Sequence, residues 1–142
     1  MMHRIRSWLY VGGLVDAADA TALRQAGISA VLQLAAPVSH PAMQCLFIPV
    51  DDGMSLSADK LRQGVGFIRQ EKAAGRAVLV SCAMGISRSV TFATAALKEE
   101  ENLSLVDALR AVQAAHPRAM PHDKLFASLC DYYGAPGWPP TW

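Results

Sequence analysis

The chain lacks any apolar run long enough to cross a bilayer. Its stretches WLYVGGLV and AVLVSCAMGI fall well short of the ~20 residues a spanning helix needs, and the first is closed by Asp16 without the cleavage pattern of a secretory leader. Charge is sparse as well. Charged residues make up 18% of the sequence and leave a formal net charge of +1, so no long-range field draws the molecule to nucleic acid or to an anionic membrane. Neither is expected as a partner, and any basic site has to be local. Cysteine is scarce: Cys45, Cys82 and Cys130 are odd in number, widely spaced and free of a C-x-x-C pair, which argues against a disulfide framework and a structural zinc site. Free thiols in the reducing cytoplasm are expected, with Cys45 and Cys130, both in apolar runs, in the core. His3, His40, His116 and His122 show no metal-ligand spacing. Solvated or capping roles are expected of them, His122 as a helix N-cap. There is no internal repeat and no low-complexity segment.

What is present suits one domain. A length of 142 residues with 52% hydrophobic content supports a single core. SWLYVG reads as a first strand, and DAADATALRQAG as a helix with acidic residues early and Gly27 at its end. ISAVLQL is a β-branched strand, and CLFIPV is another that stops at the turn signal Asp51-Asp52-Gly53. From Ser57 to Gly75, Ala58, Leu61, Val65 and Ile68 recur at helical spacing behind a serine cap. RAVLVSC is apolar on both faces, the mark of a central strand, and SVTFATAALKEEEN after it is helical. Ser104 and Asp107 form a capping-box pattern for LVDALRAVQAAH, Pro117 stops that helix, and HDKLFASLCDYYG makes a last one. The alternation predicts a single-domain α/β fold, with a central, mostly parallel sheet of four to five strands flanked by helices. Ligands of such sheets bind beyond the carboxyl ends of the strands.

SCAMGISRS, residues 81–89, lies at one such end, between strand and helix. A backbone curling through residues 83–88 presents successive N–H groups to one concavity, and the helix starting near Ser87 adds its positive dipole end there. Ala83, Met84, Gly85, Ile86, Ser87 and Arg88 are therefore the candidate phosphate-binding residues. Gly85 supplies a position where positive φ or close approach is cheap. Arg88 offers a planar fork that matches two phosphate oxygens. Each of these groups stabilises negative charge and so favours a thiolate at Cys82.

The stretch resembles the H-C-x5-R-[ST] signature of the cysteine-dependent protein tyrosine phosphatases. LYVGG, GISAVLQLA, FIPVDDGMSLS, GRAVLVSC, GISRSVTFATAAL and NLSLVDALRAVQAAHP are similar, in order and spacing, to the small atypical dual-specificity members. The resemblance runs from about residue 4 to residue 133. It implies a catalytic domain over residues 1–134, with an irregular tail over 135–142. It also implies that Cys82 attacks phosphorus to give a cysteinyl-phosphate, that Arg88 and the loop amides hold the phosphoryl oxygens, and that Ser89 helps the sulfur leave. The general acid falls on Asp52, two residues after the valine of IPVDD. Asp51 is its neighbour and competitor, and strand alternation turns only one of the two toward the loop. No metal or cofactor is required by this chemistry.

The implied activity is hydrolysis of phosphate monoesters on phosphoproteins, phosphotyrosine and phosphoserine or phosphothreonine alike, by a monomer. The loop interior carries no lysine, which disfavours highly charged substrates, and the chain has no length for the loops that deepen the pocket of tyrosine-specific relatives. One position departs from the signature: Ser81 stands where it has histidine. A catalytically weak phosphate-binding module is the alternative that this departure raises.

Overall fold

The computed structural model describes residues 1–135. Five strands, β1 (His3–Arg6), β2 (Leu9–Gly12), β3 (Ile28–Gln33), β4 (Gln44–Phe47) and β5 (Ala77–Ser81), form one sheet in the order β1-β2-β5-β3-β4. β1 is antiparallel to β2, and the β2-β5, β5-β3 and β3-β4 pairs are parallel. This is the mostly parallel α/β sheet expected, and it puts β5 at the centre.

Alternation along β5 divides the core. Val78 and Val80 pack with Phe92, Leu97 and Phe126 on one face, while Leu79 packs with Ala17, Leu23 and Val31 on the other. The first face is covered by α3 (Ala58–Ala73), α4 (Arg88–Glu101), α5 (Leu105–Ala115) and α6 (Asp123–Tyr133), and the second by α1 (Leu14–Ala18) and α2 (Ala20–Gln25). α4 is buried from Ser89 to Leu97, which makes it the helical spine of the core. Gly64 of α3 lets it settle there: a Cβ on Gly64 would lie 2.3 Å from Phe92 Cε2. Among the described residues no helix is long and apolar enough to cross a membrane.

The caps follow the sequence. Ser57 accepts from the Lys60 amide, Ser104 from the Asp107 amide and the His122 ring from the Lys124 amide. Four expectations need correction. The single first strand is a hairpin, because His3–Arg6 pairs with Leu9–Gly12 around a tight turn. The helix expected through Asp16 and Asp19 is two helices: Asp19, at ψ 86°, ends α1 and its side chain caps α2 by accepting from the Ala22 amide. Cys45 is exposed, since β4 is an edge strand. His116 is buried, stacked on His3 with ring centroids 3.7 Å apart. The tail expected over 135–142 lies, beyond Ala135, outside the described residues.

Candidate active site

The central strand delivers Cys82 to the carboxyl edge of the sheet, where Gly12, Ser81 and Gln33 end β2, β5 and β3 in one row. The cysteine is 2% exposed and its Sγ lies 3.2 Å from Ser89 Oγ, a fully buried side chain in the first turn of α4. A hydroxyl at this distance can donate to a sulfur anion.

Above the sulfur, the loop shows which way its peptides face. The carbonyl of Ala83 accepts from the Leu14 amide, that of Gly85 from the His116 ring and that of Ile86 from the Met120 amide. All three partners lie outside the loop. A trans peptide sets N–H opposite C=O, so the amides of Met84, Ile86 and Ser87 point into the concavity. The Ser87 carbonyl runs along α4 to the Thr91 amide, which aims the Arg88 amide back at the same point. Ala83 shapes the loop through its carbonyl and Gly85 through its backbone. Gly85 has φ +72°, and a Cβ there would lie 2.6 Å from the carbonyl carbon of Gly12. The result is an anion nest at the positive end of a long buried helix.

Two side chains tie the nest to the loop after β4. Arg88 Nη1 donates to the Val50 carbonyl at 2.9 Å, and Ser87 Oγ donates to Asp52 Oδ1 at 2.7 Å. Ser87 Oγ also accepts from the His122 amide at 2.9 Å, so one hydroxyl links α6, the nest and the acidic loop. That engagement explains why Ser87 does not cap α4 with its side chain. Gly53, at φ +81°, carries the chain past the His122 ring. Asp51 is exposed and lines a separate depression with Met54, Ser55 and Lys60, and the Lys60 ammonium donates to the Pro49 carbonyl. Of the two carboxylates it is Asp52 that meets the loop. Among the described residues no group of three or more His, Cys, Asp or Glu stands where it could hold a metal ion.

Cys82, Ser87, Arg88, Ser89 and Asp52 are thus brought together. The sequence did not point to the wall behind them. Cys82 N–H donates to the Gly12 carbonyl at 3.3 Å, Leu14 N–H meets Ala83, and a Cβ on Gly13 would lie 2.8 Å from the Ala83 oxygen. The Gly12-Gly13 pair at a strand end was the available signal. His116 and Met120, which hold two loop carbonyls, gave none.

Fold and loop place the molecule in the class of α/β proteins with a cysteine at the mouth of the central strand beneath an anion nest. The chain belongs to the family described as dual specificity phosphatase, catalytic domain, whose model matches residues 9–135. It is 38% identical over 122 residues to dual specificity protein phosphatase 12 of Rattus norvegicus, a match covering 81% of this chain and 36% of that protein's length. With dual specificity protein phosphatase 22-B of Danio rerio it shares 32% identity over 124 residues, covering 85% of this chain and 68% of the relative. The crystal structure of human DUSP28 superposes with a TM-score of 0.86 at 26% identity, over 93% of this chain and 95% of the other.

Proposed function

We propose that the chain hydrolyses phosphate monoesters on phosphoproteins, at phosphotyrosine and at phosphoserine or phosphothreonine, through a cysteinyl-phosphate at Cys82. The observation that carries this reading is the joint placement of a buried sulfur under inward-facing amides and a carboxylate held at the rim by the same loop.

The Cys82 thiolate attacks phosphorus as the P–O bond to the substrate breaks, and protonated Asp52 gives its proton to the departing oxygen. The amides of Met84, Ile86, Ser87 and Arg88, with the Arg88 guanidinium, hold the three equatorial oxygens. In the second step Asp52, now a carboxylate, takes a proton from water. The water oxygen bonds to phosphorus, and the S–P bond breaks with Ser89 Oγ donating to the leaving sulfur. Inorganic phosphate and the starting thiolate remain. A nucleophilic thiol has to stay reduced, which supports a cytoplasmic setting. The same reading makes residues 1–134 the catalytic domain, acting as a monomer.

The test is turnover of phosphotyrosine and phosphothreonine peptides, combined with acid quenching during turnover of a radiolabelled phosphopeptide. Label retained on wild type and absent from Cys82→Ser supports the reading. Phosphopeptide binding without turnover by wild type replaces it with the phosphate-binding module.

A further inference from the structure

Ser81 and Gln33 play no part in the steps above, yet both are at most 1% exposed and sit beside the nucleophile. They are register neighbours on β5 and β3, in the row whose third member is Gly12. Ser81 Oγ has one proton, and the short contact is to the Gly13 carbonyl at 2.7 Å. The oxygen in turn accepts from Gln33 Nε2 at 3.3 Å. Gln33 Oε1 takes the amides of Leu34 and Ala35 at 2.9 and 3.0 Å, and this fixes which end of the amide faces Ser81. Side-chain bonds therefore run from β3 through Ser81 to Gly13, with every polar atom satisfied.

Gly13 lies in the wall behind the nest. The Gly12–Leu14 segment touches the loop at the Cys82 amide, the Ala83 carbonyl and the backbone of Gly85. Where this segment sits decides how closely the loop can wrap an anion. We propose that Ser81 and Gln33 are positioning residues for the phosphate loop: an uncharged buried brace that pins the Gly12–Leu14 wall, at the position where the signature carries histidine. The inference rests on the phosphatase reading for its effect on turnover, and on the geometry alone for its effect on phosphate binding. Without the hydroxyl, the Gly13 carbonyl keeps only the Ala17 amide, the Gln33 amide loses its partner, and the wall loses its side-chain tie to β3 and β5.

The experiment measures kcat and KM on p-nitrophenyl phosphate, and the Kd of inorganic phosphate by titration calorimetry, for wild type, Ser81→Ala, Gln33→Met and the double variant. Each single variant is expected to lower kcat/KM about tenfold and to weaken phosphate binding in parallel. The double variant is expected to be no worse than Ser81→Ala, because both residues act through one chain of bonds. Leu109→Ala, on the buried face of α5, is the control: it is expected to lower the melting temperature and leave the phosphate Kd unchanged. Unchanged kinetics and phosphate Kd in both single variants overturn the inference, as do losses that simply add in the double. If wild type binds phosphate without turning over substrate, the phosphatase reading fails and the Kd series alone decides the brace. If wild type does neither, both readings fall.

Discussion

Ser87 Oγ donates to Asp52 Oδ1 at 2.7 Å, so the loop that follows Cys82 also holds a carboxylate of the loop after β4. Asp51, one residue earlier, lines a different depression. Asp52→Asn is therefore expected to lower kcat on phosphopeptides by about 10²- to 10⁴-fold. On p-nitrophenyl phosphate the loss is smaller, since that leaving group departs without a proton. Asp51→Asn leaves both rates unchanged. Steady-state kinetics on the two substrates checks this, and the reverse pattern moves the acid to Asp51.

Cys82→Ser is expected to abolish turnover while phosphopeptide binding persists, because the nest is built from backbone and Arg88 rather than from the sulfur. Arg88→Lys keeps the charge but loses the planar fork and the reach to the Val50 carbonyl. A fall in kcat/KM of about 10²-fold or more is expected, on the scale of losing one donor to a transition-state oxygen.

Gly85→Ala meets two obstacles, the positive φ of +72° and the Gly12 carbonyl carbon 2.6 Å from the new Cβ. The loop has to open away from the Gly12–Leu14 wall. The variant is expected to lose activity and about 1–3 kcal/mol of stability, read from the midpoint of urea unfolding.

Two glycines of α3 are predicted to respond with opposite signs. Gly64→Ala drives a methyl to within 2.3 Å of the Phe92 ring and is expected to cost about 1–3 kcal/mol. Gly66 is exposed, and a Cβ there meets nothing within 4 Å. Gly66→Ala is expected to stabilise by about 0.5–1 kcal/mol, through helix propensity and a less flexible unfolded chain. Urea melts of the two variants decide it.

The stability of the fold is expected to depend on His3. Burial, then the His116 ring stacked on it and the N-terminal amine, hold its imidazole below the usual histidine value, against smaller upward contributions from the Ala115 backbone and Asp16. The unfolded chain therefore takes up a proton at a higher pH than the folded one. This contribution is fully present above about pH 6.5 and is lost as pH falls from there through the folded value. Urea midpoints measured from pH 7.5 to 5.5 are expected to decline in wild type, and less steeply in His3→Gln.

The parts of the site that read from the sequence are those set by local pattern. The run RAVLVSC is apolar on both faces because β5 is central, and Ser57, Ser104 and His122 cap the helices they precede. Asp52 was set apart from Asp51 by the resemblance of IPVDD to the family's segment and not by alternation, since β4 ends at Phe47 and both carboxylates lie beyond it. What did not read was set through space. HRIR has one core residue, Ile5, and becomes a strand only because β2 turns back on it. Asp19 looks like a first-turn acid, yet its backbone breaks the helix that its side chain then restarts. Cys45 sits in an apolar run but on an edge strand, a matter of strand order that spacing does not encode. His116 meets Gly85, and Gln33 meets Ser81, across 31 and 48 residues.

The outward carbonyls of the loop after Cys82 bear on whether SCAMGISRS is a portable motif. Its carbonyls at Ala83, Gly85 and Ile86 and its Ser87 hydroxyl are satisfied by residues 14, 116, 120 and 122, drawn from both sides of the sheet's carboxyl edge. Transplanted to another strand–helix junction, the nonapeptide would carry its letters but not its peptide orientations. Those carbonyls would be free to turn inward, and an anion receptor would become an anion repellent. The smallest transferable unit is the loop together with its glycine wall and the turn between the last two helices.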